Sequence, residues 1–299
     1  MTGRSNSAGS TPRGSDDLRW VLTGRWGRAV PRWARTSLRS VAVAMRYRSL
    51  TESDLLLAGF PKAGSTWMRF VLLELFTGTS PGTFADVNSI SPDVGSHTSA
   101  PLIIDGKGRL IKTHERFRES HGGSPRSLCI VRDPRDVAVS MFHYLRRRGA
   151  NMTDLSMDRF VRSFAQGKVL SYGGWDRHTD SWLEAVNARP GRVAIVRYED
   201  LLGQGVQALA GPLTELGFEF RHDRILEAWE NNSADRMRMK ERATDASAFL
   251  DGGGAGLHAV PFVRAATSGQ WRETLPIELS DMLSSRFAST IERLGYPLS

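Results

Sequence analysis

The sequence is poor in the features that mark secreted, metal-scaffolded or membrane-spanning proteins. Its 299 residues include one cysteine, Cys129, which excludes an intramolecular disulfide framework and a cysteine-rich zinc site. Cys129 lies in an apolar run and is predicted to be a buried thiol. No apolar run reaches the roughly 18 residues that span a bilayer, and no apolar segment followed by a small-residue cleavage site stands at the N-terminus. We therefore expect a cytoplasmic protein.

The sequence also lacks net charge outside its N-terminus. Ten of the 40 Lys and Arg residues and two of the 32 Asp and Glu residues fall within residues 1–50, so this segment carries a net charge equal to the +8 of the whole chain. A basic arm joined to a neutral domain does not indicate a nucleic-acid-binding domain. No nucleic-acid partner is expected.

Residues 1–50 are predicted to be a basic arm, and residues 51–299 the folded domain. Pro31 suits the first turn of a helix, and a helical period over residues 31–48 gathers arginines on one face and apolar side chains on the other. Two interpretations stay open: a helix packed on the domain with its arginines in solvent, or a helix that contacts anionic lipid. The second would make the protein peripheral at the inner membrane face.

From residue 55 onward, short apolar runs alternate with segments that have the pattern of helices. Strands are predicted at 55–58, 109–113, 128–132 and 192–197, and helices at about 65–76, 134–148, 158–169, 176–187, 205–216, 223–231 and 277–294. Residues 78–107 and 243–260 are predicted to be loops. Strands that alternate with helices predict a single α/β domain whose P-loop-like parallel sheet is covered by helices on both faces.

The segment Gly59–Thr66 has the composition of a strand–loop–helix turn that binds phosphate. Backbone amides in such a loop, together with a helix N-terminus, bind anions. The spacing approaches G-x-x-x-x-G-K-[ST], but Ser65 occupies the lysine position and the lysine stands at Lys62. A nucleotide triphosphatase also needs a strand-end aspartate for magnesium, and the candidate, Asp133, directly follows Arg132. A P-loop kinase that uses ATP and magnesium is therefore an alternative, but a disfavoured one.

Four segments in chain order resemble one enzyme family. Pro61–Trp67 resembles the 5′-phosphosulfate loop of cytosolic-type sulfotransferases, whose pattern is Pro-Lys-Ser-Gly-Thr-Thr-Trp. The other three segments are residues 132–140, 197–201, and 262–264 with 269–271. The resemblance covers about residues 55–295. It implies an enzyme that transfers a sulfuryl group, without a metal, from 3′-phosphoadenosine 5′-phosphosulfate (PAPS) to a hydroxyl or amine of a small-molecule, lipid-linked or carbohydrate acceptor.

The resemblance implies two anion-binding groups, because PAPS carries a 5′-phosphosulfate and a separate 3′-phosphate. The residues that match the first are Lys62, Gly64, Ser65 and Thr66, which offer one cation, backbone amides and two hydroxyls at a helix N-terminus. The residues that match the second are Arg132, Ser140 and Arg264. Trp67 matches the residue that stacks on adenine, Tyr198 matches one that contacts the base or orders the site, and Ser233 lies in a segment of the same binding site.

Some positions depart from the family pattern. Ala265 and Ala266 stand where the family has lysine and glycine after the arginine, and Ala234 replaces an aromatic residue that would cover the adenine. These changes weaken the expected hold on the donor. They keep open a second alternative, a non-catalytic member that binds nucleotide or membrane.

The segment Lys112-Thr113-His114 resembles the Lys-Thr-His segment of the same family. In an extended chain, side chains two residues apart point the same way. The resemblance implies that His114 takes the acceptor proton, a step worth about 10²–10⁴-fold in rate. Lys112 would stabilise the transferring sulfuryl oxygens, and Lys62 would neutralise the leaving phosphate. Glu115-Arg116 stands where the family often has Leu-Pro, which suggests a different acceptor pocket.

Overall fold

The fold is built on one parallel sheet. A computed structural model describes residues 41, 43–118, 124–147, 155–244 and 263–299. Within this part of the chain the strands are β1 (Leu55–Gly59), β2 (Leu110–Thr113), β3 (Arg126–Val131) and β4 (Val193–Arg197). They lie in the order β2-β1-β3-β4 and every neighbouring pair is parallel. The near-continuous apolar sequences of β1 and β3 suit strands that are buried on both faces.

Helices cover both faces of the sheet. They are α1 (Ser65–Thr77), α2 (Phe84–Ile90), α3 (Pro134–Arg147), α4 (Met157–Ala165), α5 (Trp175–Ala188), α6 (Tyr198–Gln204), α7 (Val206–Glu215), α8 (His222–Glu230), α9 (Ala234–Arg242), α10 (Trp271–Thr274), α11 (Ile277–Arg286) and α12 (Ala288–Arg293). Leu57 and Leu128 belong to one apolar cluster. Ala58 and Cys129 belong to another. The prediction of an α/β fold with a parallel sheet is confirmed, and Cys129 is buried as expected.

The stretch predicted as a loop over residues 78–107 contains structure that the prediction missed. It holds α2 and a 3₁₀ turn at His97–Ser99. The Thr83 hydroxyl accepts a hydrogen bond from the Asp86 backbone amide, and the Asp86 carboxylate accepts one from the Thr83 amide. This reciprocal cap satisfies two amides at the helix start. The stretch is rich in polar residues, so its sequence pattern does not reveal the cap.

Other predicted boundaries also shift. The helix predicted over 277–294 is divided at Phe287 into α11 and α12, and the sequence predicts neither α6 nor α9. Strand β3 begins at Arg126, two residues earlier than predicted. Most of the helix predicted over 31–48 and of the loop over 243–260 lies outside the described residues. No helix in the described residues is both long enough and apolar enough to cross a membrane.

The chain just before β1 packs on the β2 side of the sheet. Val43, Tyr47 and Leu50 are buried against Leu56 and Ile111. The Tyr47 hydroxyl lies 2.5 Å from the Thr113 hydroxyl in a buried hydrogen bond. The end of the basic segment is therefore joined to the strand that leads into His114.

Candidate active site

The candidate site lies at the carboxyl ends of the four strands, which meet at one edge of the sheet. The phosphate loop follows β1, His114 follows β2, Arg132 follows β3 and Tyr198 follows β4. In open parallel sheets this edge is where ligands bind. The site residues predicted from separate parts of the sequence are thus brought to a common place by the parallel topology.

The loop between β1 and α1 has the backbone geometry of an anion cradle. Lys62 and Gly64 have positive φ angles of 77° and 106°, and a β-carbon on Gly64 would lie 2.7 Å from the Tyr198 ring. Glycine is therefore required at Gly64 by both conformation and space. The Met68 amide donates to the Gly64 carbonyl at 3.1 Å. The amides that precede it at the start of α1, including those of Ser65 and Thr66, have no intrahelical acceptor and can bind an anion.

Arg132 joins this loop to the C-terminal part of the site. Its guanidinium donates to the Lys62 carbonyl at 3.3 Å and to the Thr267 carbonyl at 3.0 Å. It also lies 4.4 Å from the centre of the Tyr198 ring. Its Nε is buried and has no hydrogen-bond partner in the described part of the chain. Arg132 therefore keeps one donor for a ligand oxygen.

A second guanidinium, that of Arg264, lies near Arg132. Burial lowers the pKa of Arg264, and the charge of Arg132 lowers it further. The Asp136 carboxylate accepts hydrogen bonds from the Gly269 and Trp271 amides at 2.6 and 3.1 Å, which holds the C-terminal segment against α3. The Asp136 carboxylate, 3.8 Å from Arg132, offsets part of the positive charge of the two guanidiniums, and the excess positive charge favours an anion beside them.

Ser140 lies on α3, the helix that begins two residues after Arg132. His143, one helical turn after Ser140, has its pKa lowered by burial and by the charge of Arg264. Residues three apart on a helix share a face. Ser140 is itself only partly buried, as a ligand-binding hydroxyl requires.

Trp67, Tyr198 and Trp229 form an aromatic group beside the phosphate loop. The Trp67 ring centre lies 4.7 Å from that of Trp229 and 6.0 Å from that of Tyr198, both edge to face. The Trp67 indole NH donates to the Asn232 carbonyl at 2.8 Å. Ser233, the exposed residue after Asn232, is thereby placed beside Trp67. Sequence reasoning missed Trp229 and Asn232, because no motif marks them.

His114 is held in a definite tautomer. Its Nδ1 lies 2.6 Å from the Gly59 carbonyl oxygen, and because a carbonyl can only accept, Nδ1 carries the proton and Nε2 the lone pair. Burial and the charge of Lys112 lower the pKa of His114 to about 3. The ring is therefore neutral at pH 7, which is the form of a base. The Tyr172 ring lies edge to face with it at 5.7 Å.

The two predicted catalytic lysines both have partners. The Lys112 ammonium forms an ion pair with Asp93 at 2.9 Å, and the Lys62 ammonium lies 4.5 Å from the centre of the Tyr144 ring. Strand register places Lys112 beside Leu57, in the middle of β1. Sequence reasoning missed Asp93, Tyr144 and Tyr172.

The strand-end aspartate that a kinase would need is engaged elsewhere. The Asp133 carboxylate accepts two hydrogen bonds from the buried Arg135 guanidinium, at 3.0 and 2.7 Å. Arg135 also donates to the Pro297 and Leu298 carbonyls near the C-terminus. The described residues contain no group of three or more His, Cys, Asp or Glu side chains placed to hold a metal ion.

Comparison with known proteins gives consistent matches over most of the chain. A family model described as a sulfotransferase domain matches residues 52–295. Sulfotransferase 1A1 of Rattus norvegicus is 25% identical over 261 residues, which cover 80% of this chain and 84% of that protein. Cytosolic sulfotransferase 13 of Arabidopsis thaliana is 25% identical over 260 residues, which cover 80% of this chain and 76% of that protein.

Solved structures show the same fold. Mouse sulfotransferase SULT7A1 complexed with PAP has a TM-score of 0.62 at 21% identity, over 85% of this chain and 90% of that one. Retinol dehydratase in complex with androsterone and the inactive cofactor PAP has a TM-score of 0.63 at 16% identity, over 84% and 85%.

Proposed function

The chain belongs to the sulfotransferase family, and from this premise we propose that it uses PAPS as its sulfuryl donor and sulfonates a hydroxyl or amine of a small-molecule acceptor with His114 as general base. One observation carries the proposal. His114 follows the end of β2, its Nδ1 contacts the Gly59 carbonyl at the start of the phosphate loop, and the charge of Lys112 acts on its ring. Base, cation and anion cradle therefore lie close enough to act on one transferring group.

The residues present fit a donor with two separated anionic groups. We propose that Lys62, Gly64, Ser65 and Thr66 hold the 5′-phosphosulfate, and that Arg132, Ser140 and Arg264 hold the 3′-phosphate. The unpaired Nε of Arg132 supports the second assignment, and the left-handed backbone conformation of Lys62 and Gly64 in the loop supports the first. Trp67, Tyr198 and Ser233 would hold the adenine between the two groups. This arrangement needs no metal, because backbone amides and cations supply the positive field.

The proposed reaction is an in-line displacement at sulfur. The acceptor oxygen forms a bond to sulfur while its proton moves to Nε2 of His114. The bond between sulfur and the bridging phosphate oxygen breaks, and its electron pair leaves with the phosphate of PAP. Lys112 stabilises the sulfuryl oxygens, and Lys62 with the loop amides stabilises the leaving phosphate. The negative charges of the bound donor raise the pKa of His114 from about 3 towards the working pH.

The donor assignment is tested by titrating the full chain calorimetrically with PAP in metal-free buffer. We expect binding that exceeds that of ATP with magnesium. Arg132→Ala should weaken PAP binding about 10- to 100-fold, because a hydrogen bond to a charged group is worth about 1.5–3 kcal/mol. The exposed Arg221→Ala is the matched control. A preference for ATP with magnesium would favour a kinase, and the absence of binding by either ligand would favour a non-catalytic member.

The acceptor is proposed to be small and partly apolar. The retinol dehydratase structure holds androsterone, a solved Arabidopsis thaliana protein is described as a putative steroid sulphotransferase, and Tyr172 offers an aromatic wall next to His114 in this chain. PAP release can be measured with a panel of small apolar, lipid-linked and carbohydrate acceptors. Faster turnover of a lipid-linked or carbohydrate acceptor would contradict this proposal.

We further propose that the protein is cytoplasmic and contacts membranes peripherally through its basic arm. Val41 and Met45 are 53% and 58% exposed, and they lie one helical turn apart next to exposed arginines. Deletion of residues 1–40 should lower cosedimentation with phosphatidylserine vesicles and leave PAP binding unchanged. The deletion must stop before Val43, which is buried on the sheet. Equal cosedimentation of both forms would remove this proposal.

A further inference from the structure

The catalytic centre contains a carboxylate that the proposed reaction leaves unused. Asp93 forms an ion pair with Lys112 at 2.9 Å, and it lies between α2 and β2 in the stretch that the sequence reads as loop. The Lys112 side chain is 14% exposed and that of Asp93 is 58% exposed. Asp93 therefore forms the solvent-facing half of the pair.

The position of Asp93 is fixed by the backbone. The Lys112 amide donates to the Pro92 carbonyl at 3.0 Å, and the Val94 amide donates to the Lys112 carbonyl at 2.8 Å. Residues 92–94 thus run parallel to the end of β2 as a short extra edge. The hydrogen-bonded register places Asp93 beside Lys112, so the backbone itself brings the two charged side chains together.

A buried arginine also binds the chain just before Asp93. Arg69 of α1 donates to the Ser91 carbonyl at 2.6 Å and to the Asn88 side chain at 2.9 Å. The helix that begins in the phosphate loop therefore fixes the chain that carries Asp93. A built position of this kind is expected of a side chain with a role in the site.

The charges around His114 give Asp93 that role. Lys112 of β2 and Arg69 of α1 disfavour a positive charge on the His114 ring, whereas the Asp93 carboxylate favours it. Burial lowers the pKa of His178 of α5, and His114 lowers it further. The Tyr172 ring lies edge to face with the His114 ring. Partial desolvation would raise the pKa of Asp93, but its ion pair with Lys112 outweighs this effect and holds the pKa below its ordinary value. Asp93 is therefore ionised when the reaction runs.

We propose that Asp93 is a positioning residue for the catalytic pair of Lys112 and His114. Its carboxylate holds the Lys112 ammonium beside His114 and offsets the positive charge that His114 gains when it takes the acceptor proton. This inference rests on the function proposed above. The acceptor O–H bond breaks and an N–H bond forms on Nε2, while the Asp93 carboxylate stays ionised throughout and takes no proton.

Asp93→Asn keeps the shape of the side chain and removes its charge. We expect kcat to fall about 10- to 100-fold, because the variant loses the negative charge that favours the developing imidazolium of His114. The acid limb of kcat/KM for the acceptor, at saturating PAPS, should move to lower pH, because the pKa of His114 falls without the carboxylate. KM for PAPS should stay within about threefold, and Asp93→Glu should restore part of kcat.

The test uses the full chain and two readouts: PAP released from PAPS with 2-naphthol as acceptor, and PAP released with water alone. Asp158→Asn is the matched control, since Asp158 is also 58% exposed and pairs with Arg162 at 2.8 Å on a surface helix. Melting temperatures separate misfolding from a charge effect. Wild-type kcat with an unmoved acid limb in Asp93→Asn, in either readout, would overturn the proposal for Asp93 and leave the sulfotransferase assignment intact. A wild-type chain that releases no PAP in either readout would instead overturn both.

Discussion

His114→Ala is expected to lower kcat by about 10²–10⁴-fold, the range that a general base contributes. The alanine removes the Nε2 lone pair, and an acceptor hydroxyl must then lose its proton to water. PAP affinity should change little, because the groups proposed to bind the donor lie on the phosphate loop and around Arg132. The measurement is PAP release under saturating PAPS and acceptor, together with PAP titration of the same preparation.

A matched control for this variant is His222→Ala, since His222 is exposed at the start of α8 and is not among the residues proposed to bind the donor or to act on the acceptor. It should keep the wild-type kcat. His114→Asn adds a second comparison, because an amide can still donate to the Gly59 carbonyl while it offers no basic nitrogen. Loss of rate in both His114 variants would assign the effect to the base. Full turnover in His114→Ala would remove the base assignment.

The fold and the positions of the motifs could be predicted because the signals that fix them are local. The apolar run of β1, the glycine at Gly64 and the residues that follow are contiguous, and a strand–loop–helix turn needs little else. Parallel topology then brings the ends of separate strands together, so that His114 and Arg132 are neighbours of the phosphate loop without any direct sequence link.

The partners of these residues could not be predicted, because they come from distant parts of the chain. Asn232 binds the indole of Trp67 across 165 positions, and Thr267 binds Arg132 across 135. Asp93 lies in a polar stretch, where an acidic residue has no distinguishing pattern, and only the pairing of residues 92–94 with β2 gives it a partner. Such contacts depend on tertiary packing, on which local composition carries no information.

Other side chains lie close to the positions that depart from the family pattern. Trp229 packs against Trp67 on the side of the site where Ala234 replaces an aromatic residue. Near Ala265 and Ala266, Arg238 donates to the Arg264 carbonyl at 3.4 Å, so a further guanidinium stands close to the position that lost a lysine. These neighbours supply aromatic surface and positive charge, which the alanines at these positions lack.

The end of the sheet opposite the site is held by one buried ion pair. The Asp54 carboxylate accepts hydrogen bonds from the Arg109 side chain at 3.0 and 2.8 Å, and from the Arg109 and Thr51 amides at 2.8 Å each. Arg109 also donates to the Ser49 and His97 carbonyls. Burial alone would raise the pKa of Asp54, but these hydrogen bonds outweigh burial and hold the pKa below its ordinary value.

Asp54→Asn is expected to lower the free energy of unfolding by about 3–5 kcal/mol, because it leaves the buried Arg109 charge without a counter-charge. Urea unfolding at pH 7 measures the loss. The double variant Asp54→Leu/Arg109→Met should lose less than the single variant, since it removes both buried charges. The exposed Asp223→Asn should leave the free energy of unfolding close to the wild-type value.

The pH dependence of this loss follows from the direction of the pKa shift. A carboxyl whose pKa is lower in the folded state contributes its full stability above the unfolded value of about 3.9, and loses it as pH falls below that value towards the folded pKa. The gap between wild type and Asp54→Asn should therefore be constant from pH 7 to pH 5 and narrow below about pH 4. A gap that stayed the same at pH 3 would mean that the loss comes from altered packing and not from the unpaired charge of Arg109.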